Sequence, residues 1–193
     1  MPILPEELNL YPDSLLDEPP DGPSDGTSDE TTSRRWMVLY TKARQEKSLA
    51  RDLLVYQLPF YLPLVKKVSV SRGRKRTSLA PLFGGYVFVY GSEQERVKGL
   101  TTNRISRVLP VEDPDQLVYD LRQLRQLIAA NVPLTVESRL GPGQRVRVLR
   151  GAFAGVEGIV LKRRGVMRLL VSITFLQQGV SVEIDDFLLE PLY

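Results

Sequence analysis

The 193-residue chain has no cysteine and no histidine. Without cysteine there are no disulfides and no thiolate zinc sites. Without either residue there are no Cys–His or Ser–His nucleophile pairs and no imidazole acid–base chemistry. No constellation of catalytic side chains stands out among the rest, so no enzymatic activity, metal or cofactor is expected. No apolar run approaches the roughly 18 residues of a membrane span, and no membrane association is expected. The first residues lack the charged-then-apolar order of a secretion signal, which leaves the cytoplasm as the expected compartment.

Positive charge is missing from one region only. Residues 1–33 hold nine acidic side chains and no Lys or Arg. The other 160 residues carry all 26 basic groups and 14 of the 23 acidic ones, an excess of 12 positive charges. A body that basic is expected to meet a polyanion, and nucleic acid is the commonest. The acidic stretch, rich in Pro, Asp, Ser and Gly, is expected to stay unstructured because it offers too little apolar surface to offset ordering entropy.

From residue 34 the patterning changes. RWMVLYT at 35–41 alternates as a strand does, and residues 42–57 turn helical, with Ala43, Ala50, Leu53 and Leu54 on one stripe. Residues 60–70 are β-rich. SRGRKRTS at 71–78, preceded by Lys66 and Lys67, gathers six positive charges around one glycine, which fits a hairpin tip. PLFGGYVFVY at 81–90 follows: two glycines, then strict alternation of Tyr86, Phe88 and Tyr90 with Val87 and Val89. Alternation shows that the strand has two different faces without saying which is the core.

A short helix or turn reaches Thr102, and RISRVLPV at 104–111 reads as another strand. The clearest helix spans 113–131. Asp113 is its expected N-cap, Pro114 its first position and Gln116 the partner in a capping box. Leu117, Leu121, Leu124 and Ile128 share one face. Residues 133–142 have no clear period and read as a linker. Residues 143–193 hold short β-rich runs separated by glycines, the pattern of a small β-barrel. The expected fold class is therefore α+β: an antiparallel sheet flanked by helices over 34–132, then a small SH3-like barrel over 143–193.

GQRVRVLRGAFAGVEGIV at 143–160 places Gly143, Val146, Val148, Gly151, Phe153, Gly155, Gly158 and Val160 at the spacing of a KOW motif, which it closely resembles. W-x-x-L-Y-x-K at 36–42, the basic stretch at 72–76, P-L-F-G-G-Y-V-F-V at 81–89 and R-V-L at 107–109 fall in order before it. Together these motifs resemble the NusG family of transcription elongation and antitermination factors, from residue 34 to the end. The first half is most similar to the RfaH-type paralogue; the final VEIDDFLLEPL is similar to the end of an ordinary NusG barrel.

The resemblance implies a monomeric binding protein that docks on the clamp helices of the largest RNA polymerase subunit and suppresses pausing. The implied docking residues are Tyr40, Phe83, Tyr86 and Phe88, with Thr101 and Thr102 facing the second large subunit. Val87 and Val89 would then face the helices. Upstream or non-template DNA would meet Lys42, Arg44, Lys47 and Arg51 on or near the first helix, and Arg72, Arg74, Lys75 and Arg76 at the hairpin tip. The KOW domain would recruit a small-subunit ribosomal protein or Rho through Phe153, Ile173 and Phe175. Its Val, Ile and Gly content favours strands over a helical hairpin. The alternatives are a housekeeping NusG working with Rho and a ribosome-associated KOW protein that binds RNA.

Overall fold

The computed structural model of the protein describes residues 8–18, 33–71, 73–137, 143–163, 166–184 and 189–192, with the backbone alone at 71, 74 and 163. The chain divides into two units, 1–112 and 113–193.

The first unit is built on a five-stranded sheet. In chain order its elements are β1 (Leu10–Tyr11), β2 (Arg35–Thr41), α1 (Glu46–Val55), β3 (Phe60–Tyr61), β4 (Leu64–Ser71), β5 (Arg74–Pro81), β6 (Tyr86–Gly91), α2 (Glu93–Leu100) and β7 (Ile105–Pro110). The sheet order is β1-β3-β6-β2-β7, and every pairing is antiparallel. β4 and β5 pair only with each other, as a separate two-stranded ribbon.

One sheet face packs on α1. Met37, Leu39, Phe60, Val87 and Val89 from the strands join Leu49, Ala50 and Leu53 of the helix in one buried cluster. The valines of β6 thus face the helix, as expected. Each buried side chain of this kind contributes about 1.5–3 kcal/mol. The helix begins at Glu46, four residues later than its sequence stripe suggested. Arg44 before it takes a left-handed φ of 59°, and the Lys42 amide donates to Arg104 O at 2.8 Å, so this stretch is a turn tied to β7. α2 has the full capping box: the Glu95 amide donates to Ser92 Oγ and the Ser92 amide to Glu95 Oε2.

The N-terminal stretch departs from its expectation. Residues 8–18 are ordered: β1 adds an edge strand beside β3, and Leu15 and Leu16 are fully buried. Averaged over 33 residues, the composition hid a short apolar block, LNLYPDSLL, inside an acidic stretch. Residues 1–7 and 19–32 lie outside the described residues.

The second unit opens with α3 (Pro114–Ala129) and continues with β8 (Thr135–Glu137), β9 (Gln144–Val148), β10 (Glu157–Arg163), β11 (Val166–Ile173), a 3₁₀ turn (Thr174–Leu176), β12 (Gln178–Glu183) and β13 (Leu189–Pro191). Asp113 caps α3 by accepting from the Gln116 amide at 2.9 Å. The Gln116 side chain does not return to the cap. It donates instead to Asp120 Oδ1 at 2.7 Å, because Asp120 is buried and needs the donor.

The sheet order is β13-β9-β10-β11-β12-β8, all antiparallel, and among the described residues no pairing joins the two ends. The core gathers Val146, Val148, Phe153, Val156, Leu169, Val171, Val182 and Leu127 of α3. Sequence reading put α3 with the preceding domain; in the structure it packs on β11 and the 3₁₀ turn of the second unit. Asp120 Oδ2 accepts from the Thr174 amide at 2.7 Å and Ala154 O accepts from Gln126 Nε2 at 2.8 Å. Residues 135–137, read as linker, form a strand on β12. Their register is fixed by side chains that give no periodic signal: Ser181 Oγ donates to buried Glu137 Oε1 at 2.7 Å, and Arg168 Nη2 donates to Thr135 Oγ1 at 2.9 Å.

Candidate functional site

The face of the five-stranded sheet opposite α1 is aromatic. Residues directly paired across strands share a face. The register runs Leu10, Tyr61, Phe88, Val38 and Leu109 in one row, with Trp36 opposite Tyr90 and Tyr40 opposite Tyr86 in the flanking rows. The rings form two tilted pairs: Tyr40 and Tyr86 with centroids 5.2 Å apart, Trp36 and Tyr90 with centroids 5.5 Å apart. Such offset geometry suits the ring quadrupoles.

The expected docking residues separate by burial. Tyr40 is 38% exposed, and Tyr86 is half-buried. Phe88 and Phe83 are buried, at 0% and 2% exposure, and hold the sheet and its approach turn together. Thr101 and Thr102 turn their hydroxyls back onto the end of α2, donating to Lys98 O at 2.7 Å and Gly99 O at 2.8 Å. Trp36, Tyr61 and Tyr90 belong to the same face and were not among the docking residues expected from the sequence. The signal that finds them is strand pairing, which carries the alternation of β6 across to β2 and β3.

The turn before β6 sets the ring geometry. Gly85 has φ of 87°, a conformation side chains rarely adopt, and a Cβ there would stand 2.8 Å from Tyr40 Cε2. Its backbone is held at both ends: the Gly85 amide donates to Glu46 Oε1 at 2.7 Å, and Gly85 O accepts from the Thr41 amide at 2.7 Å.

The basic candidates fall into two groups. Lys42, Arg44 and Arg51 are exposed around the start and outer side of α1, with Lys47 half-buried. Lys42 Nζ donates to Asn103 Oδ1 at 2.7 Å, which places it beside the residues after α2. Arg104, not singled out from the sequence, pairs with Asp52 at 2.6 Å and donates to Gln45 Oε1 at 2.6 Å, so it braces the same corner. On the ribbon, Lys75 and Arg76 are exposed and point to opposite faces. Val68 and Val70 sit on the Lys75 face at 61% and 66% exposure. Arg74 pairs with Ser71 through the backbone; Arg72 lies outside the described residues.

In the second unit residues 148–156 form a closed turn. The Val148 amide donates to Val156 O and the Gly155 amide to Val148 O, which folds Phe153 into the core at 2% exposure. At Gly158 a Cβ would lie 2.4 Å from Leu170 O, so the neighbouring strand requires glycine there. Of the expected partner contacts, Phe153 and Ile173 are core, and Phe175 is partly exposed in the 3₁₀ turn. Among the described residues no group of acidic side chains is placed to hold a metal ion, and no helix is long and apolar enough to cross a membrane.

The first unit thus carries a partly exposed tyrosine pair on its sheet, a basic corner at α1 and a separate basic ribbon. Residues 34–122 match the family model described as transcription termination factor nusG. The chain carries a NusG-type segment. This match covers just under half of the chain and contains the whole aromatic face except β1. It supports a role in transcription elongation or termination. No curated protein matches the chain.

Proposed function

We propose that the chain is a specialised, RfaH-like NusG paralogue that binds RNA polymerase at the clamp helices of the largest subunit and suppresses pausing and termination. The observation that carries this reading is the Tyr40–Tyr86 pair: two rings left partly open on a sheet face within the NusG-matched span. Phe88 lies buried in the same face, and Phe83 is buried in the turn before β6. The paralogue assignment rests on W-x-x-L-Y-x-K and P-L-F-G-G-Y-V-F-V.

The β4–β5 ribbon, through Lys75, Arg76 and its neighbouring tip arginines, and the α1 corner, through Lys42, Arg44, Lys47 and Arg51, contact upstream or non-template DNA by charge. The second unit is an SH3-like KOW module that recruits a ribosomal protein or Rho, with Phe175 as its open apolar contact. The factor works in the cytoplasm as a monomer.

Single-round transcription with purified polymerase tests the reading. Adding the full chain shortens pauses, and a Tyr40→Ala/Tyr86→Ala variant that remains folded does not. Unchanged pausing with the wild-type chain, at concentrations that saturate polymerase, refutes the antipausing role. Adding Rho separates the specialised from the housekeeping reading, because only the latter increases termination.

A further inference from the structure

Glu46 is the first residue of α1, and its side chain is almost completely buried. An acidic residue in a first helical turn gains from the helix dipole while exposed to water, so the dipole gives no reason to bury it. Burying a carboxylate is costly unless hydrogen bonds replace the lost water. Here the replacement is specific: Oε1 accepts from the Gly85 amide at 2.7 Å, across 39 positions of sequence. That amide belongs to the left-handed turn whose α-carbon lies against the Tyr40 ring, and the next residue is Tyr86. The Thr41 amide, adjacent to Tyr40, holds the next peptide, Gly85–Tyr86, through Gly85 O. The three contacts connect α1, the end of β2 and the start of β6 at the point where exposed Tyr40 and half-buried Tyr86 are rooted.

We infer that Glu46 is a positioning residue for the aromatic face. Its carboxylate fixes the Gly85 peptide, which sets the height and tilt of Tyr40 against Tyr86 and so the affinity of the face for its helical partner. The partner side of this inference rests on the polymerase-docking reading; the ring-geometry side does not. The requirement is reach, because the acceptor must extend from α1 to the Gly85 amide. Charge is secondary.

Two variants of the full chain separate reach from charge. Glu46→Gln keeps the length and an acceptor oxygen but loses the charge. Glu46→Asp keeps the charge at the helix start but is one methylene shorter. Polymerase affinity is expected to fall about tenfold in Glu46→Asp, the effect of one lost hydrogen bond, and clearly less in Glu46→Gln. By NMR, Glu46→Asp is expected to shift the Gly85 amide proton upfield, speed its exchange and weaken the Tyr40–Tyr86 ring NOE, while amides of the β4–β5 ribbon keep their shifts.

The reverse order, with Glu46→Gln the weaker binder, shows that charge matters and overturns the inference. So does an unchanged ring NOE in Glu46→Asp. Tyr40→Ala/Tyr86→Ala is the control for the docking reading. If it binds polymerase as the wild type does, that reading fails by itself, and the ring NOE alone then decides whether Glu46 positions the pair.

Discussion

Replacing Gly85 by alanine should cost far more than the same change one residue earlier. At Gly85 the φ of 87° places a side chain in the left-handed half of the map, a strain of about 1–2 kcal/mol. The new Cβ would also stand 2.8 Å from Tyr40 Cε2. The Tyr40 ring is partly exposed and can swing away, but it then gives up its pairing with Tyr86, about 0.5–1.5 kcal/mol. The two terms sum to about 1.5–3.5 kcal/mol. At Gly84 nothing lies within 4 Å of an added Cβ, so Gly84→Ala should stay within about 0.5 kcal/mol. Trp36, the single tryptophan, lies in β2 and reports unfolding of the first unit by fluorescence. In urea the midpoint should drop by roughly 1–2 M for Gly85→Ala and hardly move for Gly84→Ala. Equal midpoints for the two variants would refute the reasoning about the turn.

Phe153→Ala should destabilise the second unit by about 3–5 kcal/mol, read as lost amide protection over β9, β10 and β11, because the ring is core and not an open contact. Ser181→Ala removes a hydrogen-bond donor from buried Glu137 and an acceptor from Arg168 Nε; amide exchange at Thr135–Glu137 should speed up by an amount equivalent to about 1–3 kcal/mol. Burial lifts the Asp120 carboxyl above the ordinary aspartate value, against the hydrogen bonds from Thr174 and Gln116 that pull it down. A carboxyl raised on folding adds stability below its unfolded pKa and loses it as pH rises through the folded one. Asp120→Asn should therefore gain on the wild type as pH climbs from about 3 to 7, in urea midpoints for the second unit; a difference that stays flat contradicts the assignment.

Much of the first unit was legible because its signals are local and periodic. The alternation in RWMVLYT and YVFVY marked β2 and β6, and in the second unit Asp113-Pro114 marked the start of α3. β1 and β8 were missed for a common reason. Each is two or three residues long and exists because a distant strand offers an edge, Phe60–Tyr61 for one and β12 for the other. A short strand of that kind leaves no period to read. At the candidate site the ring residues were legible, but alternation could not rank them. Phe88 and Tyr86 sit two residues apart in one pattern, yet only Tyr86 is open. The basic positions were legible as charge, but the bonds of Lys42 to Asn103 and of Arg104 to Asp52 were not. Glu46 was not singled out, since its partner is a backbone amide 39 residues away that carries no sequence signature.

The central claim is that the open tyrosine pair binds RNA polymerase. The most direct measurement is the dissociation constant of the full chain for purified polymerase, compared with Tyr40→Ala/Tyr86→Ala, with the variant's fold checked by its Trp36 fluorescence and amide spectrum. Two interface tyrosines at about 1–2 kcal/mol each predict a loss of at least about thirtyfold. Wild-type affinity in the folded double variant would contradict the claim.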